Sequence, residues 1–510
     1  MINQDNWLIN SCIDNSETVF PNIKCEFPLD NEIKEKLKEL ATNVKEDSND
    51  FEIFRYKKQT DDLWEQLLKK AIICLRYYDT REPFIEKDKK PKAYGINELK
   101  KYYKNYIEFE KVLYGAGKYY RDHVVHVFRT WMTGVWLLTK NTGEYLGKIK
   151  ISESGLTAEI CPEEKISIWT IIALTHDLGY PLEKSKEVIN VTQKMVSTFV
   201  SNPNISLDFS FHGVQNYMND FVVRLMSSKM RKKPTDTKEE SHTYVARLQP
   251  KYYFKFQKSL EKNKHGILST LIIYKLLTYF LESDYSINED YCFDEEDCRQ
   301  FYIRREILRS IASHTCDDVY QLYMNSFAFL LRICDDTQEW GRKNIAELYV
   351  KSGQTYNLDD ISLDNELCKI EETIDLDANL HKEIIYNLIE RFYDQAIVYV
   401  TIFRDGQDTI KRDFSFYRET KIKFGKITFQ LSLSIPKDTA SILKISINYT
   451  SDGALNRPFN YSFIKEIEHL NINTLKILTN AGKELSVNDI KSEEKKEEQT
   501  WRKADFELCL

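Results

Sequence analysis

The sequence has 510 residues, of which 42% are hydrophobic and 13% aromatic, and its formal net charge is −7. The length predicts two or three domains. The negative net charge argues against a protein that coats nucleic acid, while leaving room for a local basic pocket. The ten cysteines include no CxxC pair, which argues against a structural zinc site and predicts reduced thiols in a cytosolic protein.

No segment predicts insertion into a membrane. The amino terminus has neither a basic stretch nor a long apolar stretch. The most apolar window, residues 267–281, is too short to span a bilayer and contains Lys275 near its middle. We therefore expect a cytoplasmic protein, with residues 267–281 in a buried helix.

Helical periodicity dominates the chain up to about residue 405. Residues 1–95 predict an amino-terminal helical segment, which ends in a polar, proline-containing boundary at residues 80–95. Residues 96–405 predict a helical domain with an exposed inserted loop near 227–260. Its predicted helices cover residues 97–114, 119–140, 165–179, 185–200, 211–227, 265–282, 302–314, 319–335 and 379–398.

The pattern changes near residue 412, where apolar and polar residues alternate and β-branched side chains become frequent. Residues 406–510 therefore predict a small α+β domain. The charge run at residues 491–499 predicts a solvated tail or an exposed helix. The expected fold class is mainly α, with a helical core and a small carboxy-terminal α+β domain.

Histidine and aspartate residues interrupt several apolar helices. They are His123, His126, His176, Asp177, His265, His314, Asp335 and Asp336. One histidine at the edge of an apolar helix is best explained as a satisfied core residue. Burying a whole set without partners would cost several kcal/mol, so a bound cation is the leading explanation. Imidazole and carboxylate ligands together suit Mn, Fe, Mg, Zn, Co or Ni.

The stretches RDHVVHVF, THDLGYP and LLRICDD place these residues in the order H…HD…D. This arrangement, across residues 115–345, resembles the HD-domain metal-dependent phosphohydrolase superfamily. The resemblance implies an all-helical HD-domain core and one metal shell. The implied ligands are His126, His176, Asp177 and Asp335. His123 and Asp336 are the alternatives for the first and last ligands; His126 is preferred because its helix continues as HVFRTW.

Some members of the superfamily hold two metal ions, with the aspartate of the doublet as a bridge. His265 and His314 are the candidates for a second metal here. Their alternative roles are a helix amino-terminal cap for His265 and a backbone hydrogen bond for His314. The number of divalent ions therefore stays open between one and two. The candidate catalytic residues are His123, as a proton donor or phosphate contact, and Asp177.

The implied chemistry is attack of a metal-activated water on phosphorus, with an acid that protonates the leaving oxygen. Cationic side chains beside the motifs are candidates to bind phosphate. They are Arg121, Arg129, Lys184, Lys186 and Arg342. Triphosphohydrolases of the superfamily usually carry a further histidine after the doublet, where this chain has Tyr180. The GYP stretch at residues 179–181 directly abuts the doublet, and we interpret its likeness to a downstream motif of another branch as coincidence.

Three functions follow from the resemblance. The first is a deoxynucleoside triphosphate triphosphohydrolase, with nucleotide depletion in antiphage defence as its role. The second is a phosphodiesterase of cyclic nucleotides or nucleic-acid ends, which a binuclear site would favour. The third is a nucleotide sensor, against which the intact ligand set argues. The expected partners are a nucleotide substrate, a nucleotide activator and further copies of the chain in a homo-oligomer, but no membrane.

Overall fold

The computed structural model describes most of the chain. The described residues are 5–43, 52–79, 92–116, 121–153, 156–199, 214–232, 244–282, 292–316, 319, 322–342, 354–364, 366–377, 383–404, 412–425, 427–449, 474–479, 484–485 and 501–509. Most of the predicted boundary at residues 80–95 and the charge run at residues 491–499 lie outside these ranges, so both stay predictions.

The first part of the chain is helical, with one short hairpin. Its elements are α1 (Asp5–Val19), α2 (Asn31–Asn43), α3 (Glu52–Tyr78), α4 (Ile96–Ala116), α5 (Val124–Lys148), β1 (Ile151–Glu153), β2 (Leu156–Ala158) and α6 (Pro162–Thr175). After its charged first turn, helix α6 is largely apolar on all sides, and it is buried against α3 and α5. A Cβ atom at Gly134 would lie 2.1 Å from the Trp169 ring, so glycine allows α5 and α6 to approach closely.

The middle of the chain adds helices around α6 and a second hairpin. Its elements are α7 (Tyr180–Val196), α8 (Val214–Ser227), β3 (Ser228–Lys232), β4 (Tyr244–Leu248), α9 (Pro250–Glu261), α10 (His265–Leu276), α11 (Thr278–Leu281), α12 (Glu295–Ser313) and α13 (Phe327–Thr337). Helix α6 also packs against α12. The window at residues 267–281 is largely buried in α10 and α11, as expected.

The predicted inserted loop near residues 227–260 needs a correction. Its described residues form the β3–β4 hairpin and helix α9 rather than an exposed loop. Met230 and Phe256 are fully buried, and Val245 is buried as well. The charges and the proline that suggested a loop concentrate in residues 233–243, which lie outside the described ranges. The apolar residues on either side of that stretch contribute to the core.

Capping residues set helix boundaries that periodicity alone misplaced. Helix α12 begins seven residues before the predicted position, because Asp294 Oδ1 accepts hydrogen bonds from the backbone N–H groups of Glu296 and Asp297, each at 3.0 Å. Helix α13 begins later than predicted, after Ser326, whose hydroxyl accepts a hydrogen bond from the Phe329 N–H at 3.2 Å. The carboxyl-terminal ends of the two helices, Ser313 and Thr337, lie within two residues of the predicted ends.

The last part of the chain forms one eight-stranded sheet with a helix. The elements are β5 (Gln354–Leu363), β6 (Leu367–Leu376), α14 (Glu383–Ile402), β7 (Ser415–Phe424), β8 (Ile427–Ile435), β9 (Ile442–Tyr449), β10 (Thr474–Thr479), β11 (Glu484–Leu485) and β12 (Trp501–Cys509). The strand order is β11-β10-β12-β9-β8-β7-β6-β5. All pairs are antiparallel except β6 with β7, and α14 supplies the crossover that a parallel pair requires.

The mainly helical fold with a carboxy-terminal α+β part is confirmed, but the sheet begins earlier than predicted. Strands β5 and β6 lie within residues 96–405, which the sequence analysis assigned to the helical domain, and β6 pairs with β7 along its whole length. Many charged residues on these strands and a register shift at Leu358/Asp360 obscure the alternation that marks a strand. Among the described residues, no helix is both long and apolar enough to cross a membrane.

Candidate metal centre

Acidic side chains hold the amino-terminal end of α5, where His126 lies. The Asp122 carboxylate accepts hydrogen bonds from the backbone N–H groups of Val125, at 2.8 Å, and His126, at 3.3 Å. The Glu110 carboxylate accepts one from the His123 N–H at 2.8 Å. Carboxylates stabilise the positive end of a helix. They fix the first turn of α5, so the fully buried His126 side chain has a defined position.

The His176–Asp177 doublet follows the last residue of α6, in a tight turn before α7. Pro181 stands in the first turn of α7, where proline is favoured. A Cβ atom at Gly179 would lie 2.4 Å from the carbonyl oxygen of His265, so this position requires glycine. Two structural requirements therefore explain the GYP stretch. Its proline suits the start of α7, and its glycine allows α7 and α10 to approach closely.

Two further helix ends meet the doublet. Helix α10 begins with His265, and His314 caps the end of α12. A Cβ atom at Gly266 would lie 2.7 Å from the carbonyl oxygen of Ile311, so glycine lets these ends touch. The Ser269 hydroxyl donates to the His176 carbonyl oxygen at 2.6 Å and ties α10 to the turn after α6.

Asp335, rather than Asp336, faces the cluster. Its Oδ1 atom lies 2.9 Å from His126 Nε2 and 3.7 Å from His176 Nε2. The Asp336 carboxylate instead accepts a hydrogen bond from the Tyr399 hydroxyl at 2.7 Å and pairs with Arg332 at 2.8 Å. The two adjacent carboxylates thus have different surroundings.

The Asp177 carboxylate lies between two pairs of histidines. Its Oδ2 atom is 3.7 Å from His126 Nε2 and 3.5 Å from His176 Nε2. Its Oδ1 atom is 3.3 Å from His265 Nε2 and 3.8 Å from His314 Nε2. The structure therefore brings His265 and His314 to the same carboxylate as the first pair. The groups His126/His176/Asp177, His176/His314/Asp335 and Asp177/His265/His314 each have ligand atoms within 4.8 Å of one another.

Hydrogen bonds orient all four imidazoles in the same way. Each Nδ1 atom faces an oxygen acceptor, so each Nδ1 carries a proton and each Nε2 atom turns toward the carboxylates. The acceptors, for His126, His176, His265 and His314 in turn, are Gln338 Oε1, Ala173 O at 2.8 Å, Glu183 Oε2 at 2.6 Å and Ile311 O at 2.5 Å.

This orientation leaves acceptors facing acceptors. The Nε2 atoms point at carboxylate oxygens, and a ring that is neutral presents a lone pair there; the buried Nε2 atoms of His176 and His314 make no hydrogen bond within the described residues. Such groups are costly to bury unless a cation lies among them. Ligands about 2.0–2.2 Å from one ion lie about 3–3.5 Å from each other, and most of the distances here are close to that range. The buried His and Asp groups can therefore hold a metal ion.

Both carboxylates of the cluster are ionised. Burial alone would raise the pKa of Asp177, but His176 and His314 outweigh it and hold that pKa well below its usual value. His126 and His176 similarly hold the pKa of Asp335 well below its usual value. Burial opposes the charged form of His176, yet Asp177 and Asp335 raise its pKa to about 9, so a proton on its Nε2 atom and a metal ion are alternatives between this ring and the carboxylates. Burial lowers the pKa values of His126 and His314.

The cluster is buried but has one accessible side. The side chains of His126, His176 and Asp177 are at most 5% exposed, whereas Asp335 is 21% exposed and His265 is 18% exposed. His123 lies beside this group without belonging to any of the three donor groups. Its ring stacks on that of Tyr180, with centroids 3.8 Å apart, and its pKa is lowered well below its usual value by burial and by Arg342.

The predicted phosphate contacts differ in how far they are already paired. Arg121 pairs with Glu339, Arg129 with Asp5 at 2.8 Å, and Lys184 with Glu187 at 2.6 Å. Arg342 uses only its Nε atom, which donates to the Asp122 carbonyl oxygen at 3.1 Å. Within the described residues, its two terminal nitrogens are therefore available to a ligand. The side chain of Lys186 lies outside the described part of the chain.

Sequence reasoning missed the residues that orient the imidazoles. Gln338 follows Asp335 by three residues, and its amide also donates to the Trp340 carbonyl oxygen at 2.8 Å. Glu183 accepts hydrogen bonds from both the backbone N–H and the ring of His265. A glutamate in the first turn of α7 looks like an ordinary complement to the positive end of a helix. Only the packing of α7 against α10 shows its second role.

In comparisons with known proteins, no protein-family model, no curated protein and no solved structure matches this chain. The side chains of the candidate metal centre are therefore the basis for assigning a function.

Proposed function

We propose that this chain is a metal-dependent phosphohydrolase that acts on phosphorylated nucleotides, with deoxynucleoside triphosphates as the first candidate substrates and nucleotide depletion in antiphage defence as the role. The observation that carries the proposal is the convergence of four imidazole Nε2 atoms on the ionised carboxylates of Asp177 and Asp335. Buried groups of this kind are typical of sites that bind divalent ions. The sequence order H…HD…D supports the HD-domain class of enzyme.

The residues around the cluster suit phosphate chemistry. A divalent ion held by these ligands would supply a Lewis acid and a water of lowered pKa. The free guanidinium end of Arg342 can bind phosphoryl oxygens, since arginine forms charge-assisted hydrogen bonds with phosphate. His123 can donate a hydrogen bond to the substrate from its place against the Tyr180 ring. Asp335 and His265, on the accessible side, mark where a substrate would approach.

A phosphodiesterase is the second candidate, because one specific observation favours it. Asp177 directs one oxygen to His126 and His176 and the other to His265 and His314, so it can bridge two ions. Two-metal sites stabilise both the attacking and the leaving oxygen in phosphoryl displacement. The native metal follows from neither candidate, because imidazole and carboxylate ligands suit several divalent ions.

A nucleotide panel tests the proposal. The chain, supplied with Mn²⁺ or Mg²⁺, is incubated with deoxynucleoside triphosphates, cyclic nucleotides and dinucleotides, and the products are separated by chromatography. Deoxynucleosides plus triphosphate would support the first candidate, and monophosphates from cyclic or dinucleotide substrates the second. Absence of turnover in a chain that binds metal and is folded would contradict both.

Asp335→Asn and Asp336→Asn form a matched pair of variants for this experiment. The two residues are adjacent on α13, but only Asp335 faces the cluster. We expect Asp335→Asn to abolish turnover and lower the metal content, whereas Asp336→Asn keeps both in its folded fraction. Equal losses in the two variants would indicate general damage to α13 instead of a site at Asp335.

A further inference from the structure

A second charged cavity lies between the helical part of the chain and the sheet. It has a volume of about 410 Å³, with walls from α14 and strands β5–β8 and a floor from residues 339–342. Pockets for small ligands are roughly 300–1,000 Å³ in volume. No member of the His/Asp cluster lines the cavity. The cavity is bounded by the segment that follows Asp335, and it adjoins the metal centre through Arg342, which lines it.

The cavity has an excess of positive charge. Five arginines and three carboxylates line it, which leaves two positive charges over. The arginines are Arg121, Arg129, Arg342, Arg391 and Arg418, and the carboxylates are Asp5, Glu339 and Glu372. A dianion such as a phosphomonoester would balance this excess. Arginines in a partly enclosed space also offer the planar donor pairs that phosphate oxygens accept.

Two arginines share one carboxylate at Glu339, so part of the excess positive charge lies there. This carboxylate pairs with both Arg121 and Arg391, so one negative charge serves two guanidinium groups. The side chain of Glu339 is only 7% exposed, whereas those of Arg121 and Arg391 are 29% and 41% exposed. Both arginines line the cavity and are more exposed than the carboxylate that they share.

The remaining lining fits an organic group as well as an anion. Apolar side chains of α14 and β6, including Phe392 and Ile374, form one wall, which inorganic phosphate alone would leave uncovered. The hydroxyl of Tyr356 is buried in the lining and makes no hydrogen bond within the described residues. Buried hydroxyl groups normally have a partner. A ligand with an aromatic ring and polar edges would cover the wall and supply that partner.

We propose that this cavity binds a phosphomonoester of nucleoside size, with its phosphate on Arg121 and Arg391 and its ring against Phe392 and Tyr356. The site does not depend on a bound metal. It is nevertheless connected to the metal centre, because Glu339 follows Gln338, which holds His126.

Calorimetric titration tests this site with nucleoside monophosphates, the matching nucleosides and inorganic phosphate, on the full chain in excess chelator. Because no metal is present, failure of the proposed hydrolase activity does not affect the result. We expect a nucleoside monophosphate to bind at least tenfold more tightly than phosphate or nucleoside. Asp177→Asn should leave this binding unchanged, and Arg391→Gln should weaken it at least tenfold.

Thr355→Glu provides a variant that does not remove an existing ion pair. Thr355 is an exposed residue of β5 that lines the cavity, so a carboxylate there should also weaken binding at least tenfold. Thr439→Glu, in an exposed turn away from the cavity, is the matched control and should have no effect. Absence of monophosphate binding at millimolar concentration, insensitivity to both cavity variants, equal binding of inorganic phosphate, or loss of binding in Asp177→Asn would overturn the proposal.

Discussion

This molecule has two clusters of buried charged residues, which differ in whether their polar atoms find partners within the cluster. In the sheet, Arg418 and Glu372 are 5% and 1% exposed, and two guanidinium nitrogens donate to the carboxylate at 3.0–3.1 Å. Thr420 donates a further hydrogen bond to Glu372 at 2.9 Å, and Arg418 also donates to Gln395 at 3.1 Å. Every charge in this cluster has a partner of opposite sign or a good hydrogen bond.

The cluster in the helical part of the chain is also largely buried, but it is incomplete. Its imidazole Nε2 atoms face the oxygens of Asp177 and Asp335, and hydrogen bonds on Nδ1 keep the rings in that orientation. A buried pair that satisfies itself needs no ligand, whereas convergent acceptors need a cation. Burial and charge alone therefore do not identify a functional site; the pattern of unsatisfied atoms does.

The largest expected effect is on catalysis. Asp177→Asn removes the carboxylate that both histidine pairs share, so we expect turnover of the substrate found in the panel to fall at least about 10³-fold, since metal-based charge stabilisation contributes several kcal/mol. The measurement is kcat/KM at saturating metal. A loss below tenfold, in a variant with an unchanged circular dichroism spectrum, would contradict a central role for Asp177.

The next largest effect is a loss of stability, expected from a substitution in the sheet. Glu372→Gln leaves Arg418 buried without its counter-charge, which costs about 3–5 kcal/mol in the free energy of unfolding. Denaturant titration measures the loss. The matched control is Glu371→Gln, the neighbouring residue, whose partly exposed pair with Lys369 predicts a change below about 1 kcal/mol. The metal content of folded Glu372→Gln should equal that of the unmodified chain, and a drop would show that the two clusters are coupled.

A smaller effect is expected from the residues that orient the ligands. Glu183→Gln weakens the hydrogen bonds that fix His265, and changes of this kind lower metal affinity about 10–100-fold. Glu187→Gln, on the same helix, removes the partner of Lys184 instead of a partner of His265; it is the control and should keep full affinity. Competition with a fluorescent chelator measures both. Equal affinities in the two variants would show that Glu183 has no part in metal binding.

The smallest effect is expected at the phosphate contact. Arg342→Gln removes one cation near the cluster, so we expect kcat/KM to fall about tenfold. A loss of this size corresponds to the weaker of the hydrogen bonds that charged groups form. Metal affinity should not fall. Lys184→Gln, whose ammonium group already pairs with Glu187, should change kcat/KM less. A larger loss for Lys184 than for Arg342 would reverse the assignment of the phosphate contact.

The sequence predicts the members of the metal centre better than their supports. Histidine and aspartate at the ends of apolar helices stand out, because burial there conflicts with their polarity. The orienting residues Glu183 and Gln338 carry no such signal, since glutamate and glutamine at helix ends are common. Their roles depend on contacts between elements that are far apart in the chain, such as Gln338 with His126.

The fold shows the same contrast. Strongly periodic helices and the alternating strands β7 and β8 were predictable, since their patterns are regular. Strands β5 and β6 were not, because acidic residues and a register shift interrupt their alternation and because β6 pairs with a strand beyond helix α14. The second cavity was also beyond prediction, as its arginines come from four separate segments that only the tertiary fold brings together.

The most direct test of the central claim is the metal content of the purified chain. After equilibrium dialysis against Mn²⁺, elemental analysis should find two ions per chain, since Asp177 serves two sets of histidines. His265→Ala should reduce the content to one ion, and Asp177→Asn should reduce it further. An unmodified chain that binds no ion, or an Asp177→Asn variant that binds as many ions as the unmodified chain, would contradict the assignment of the cluster as a metal centre.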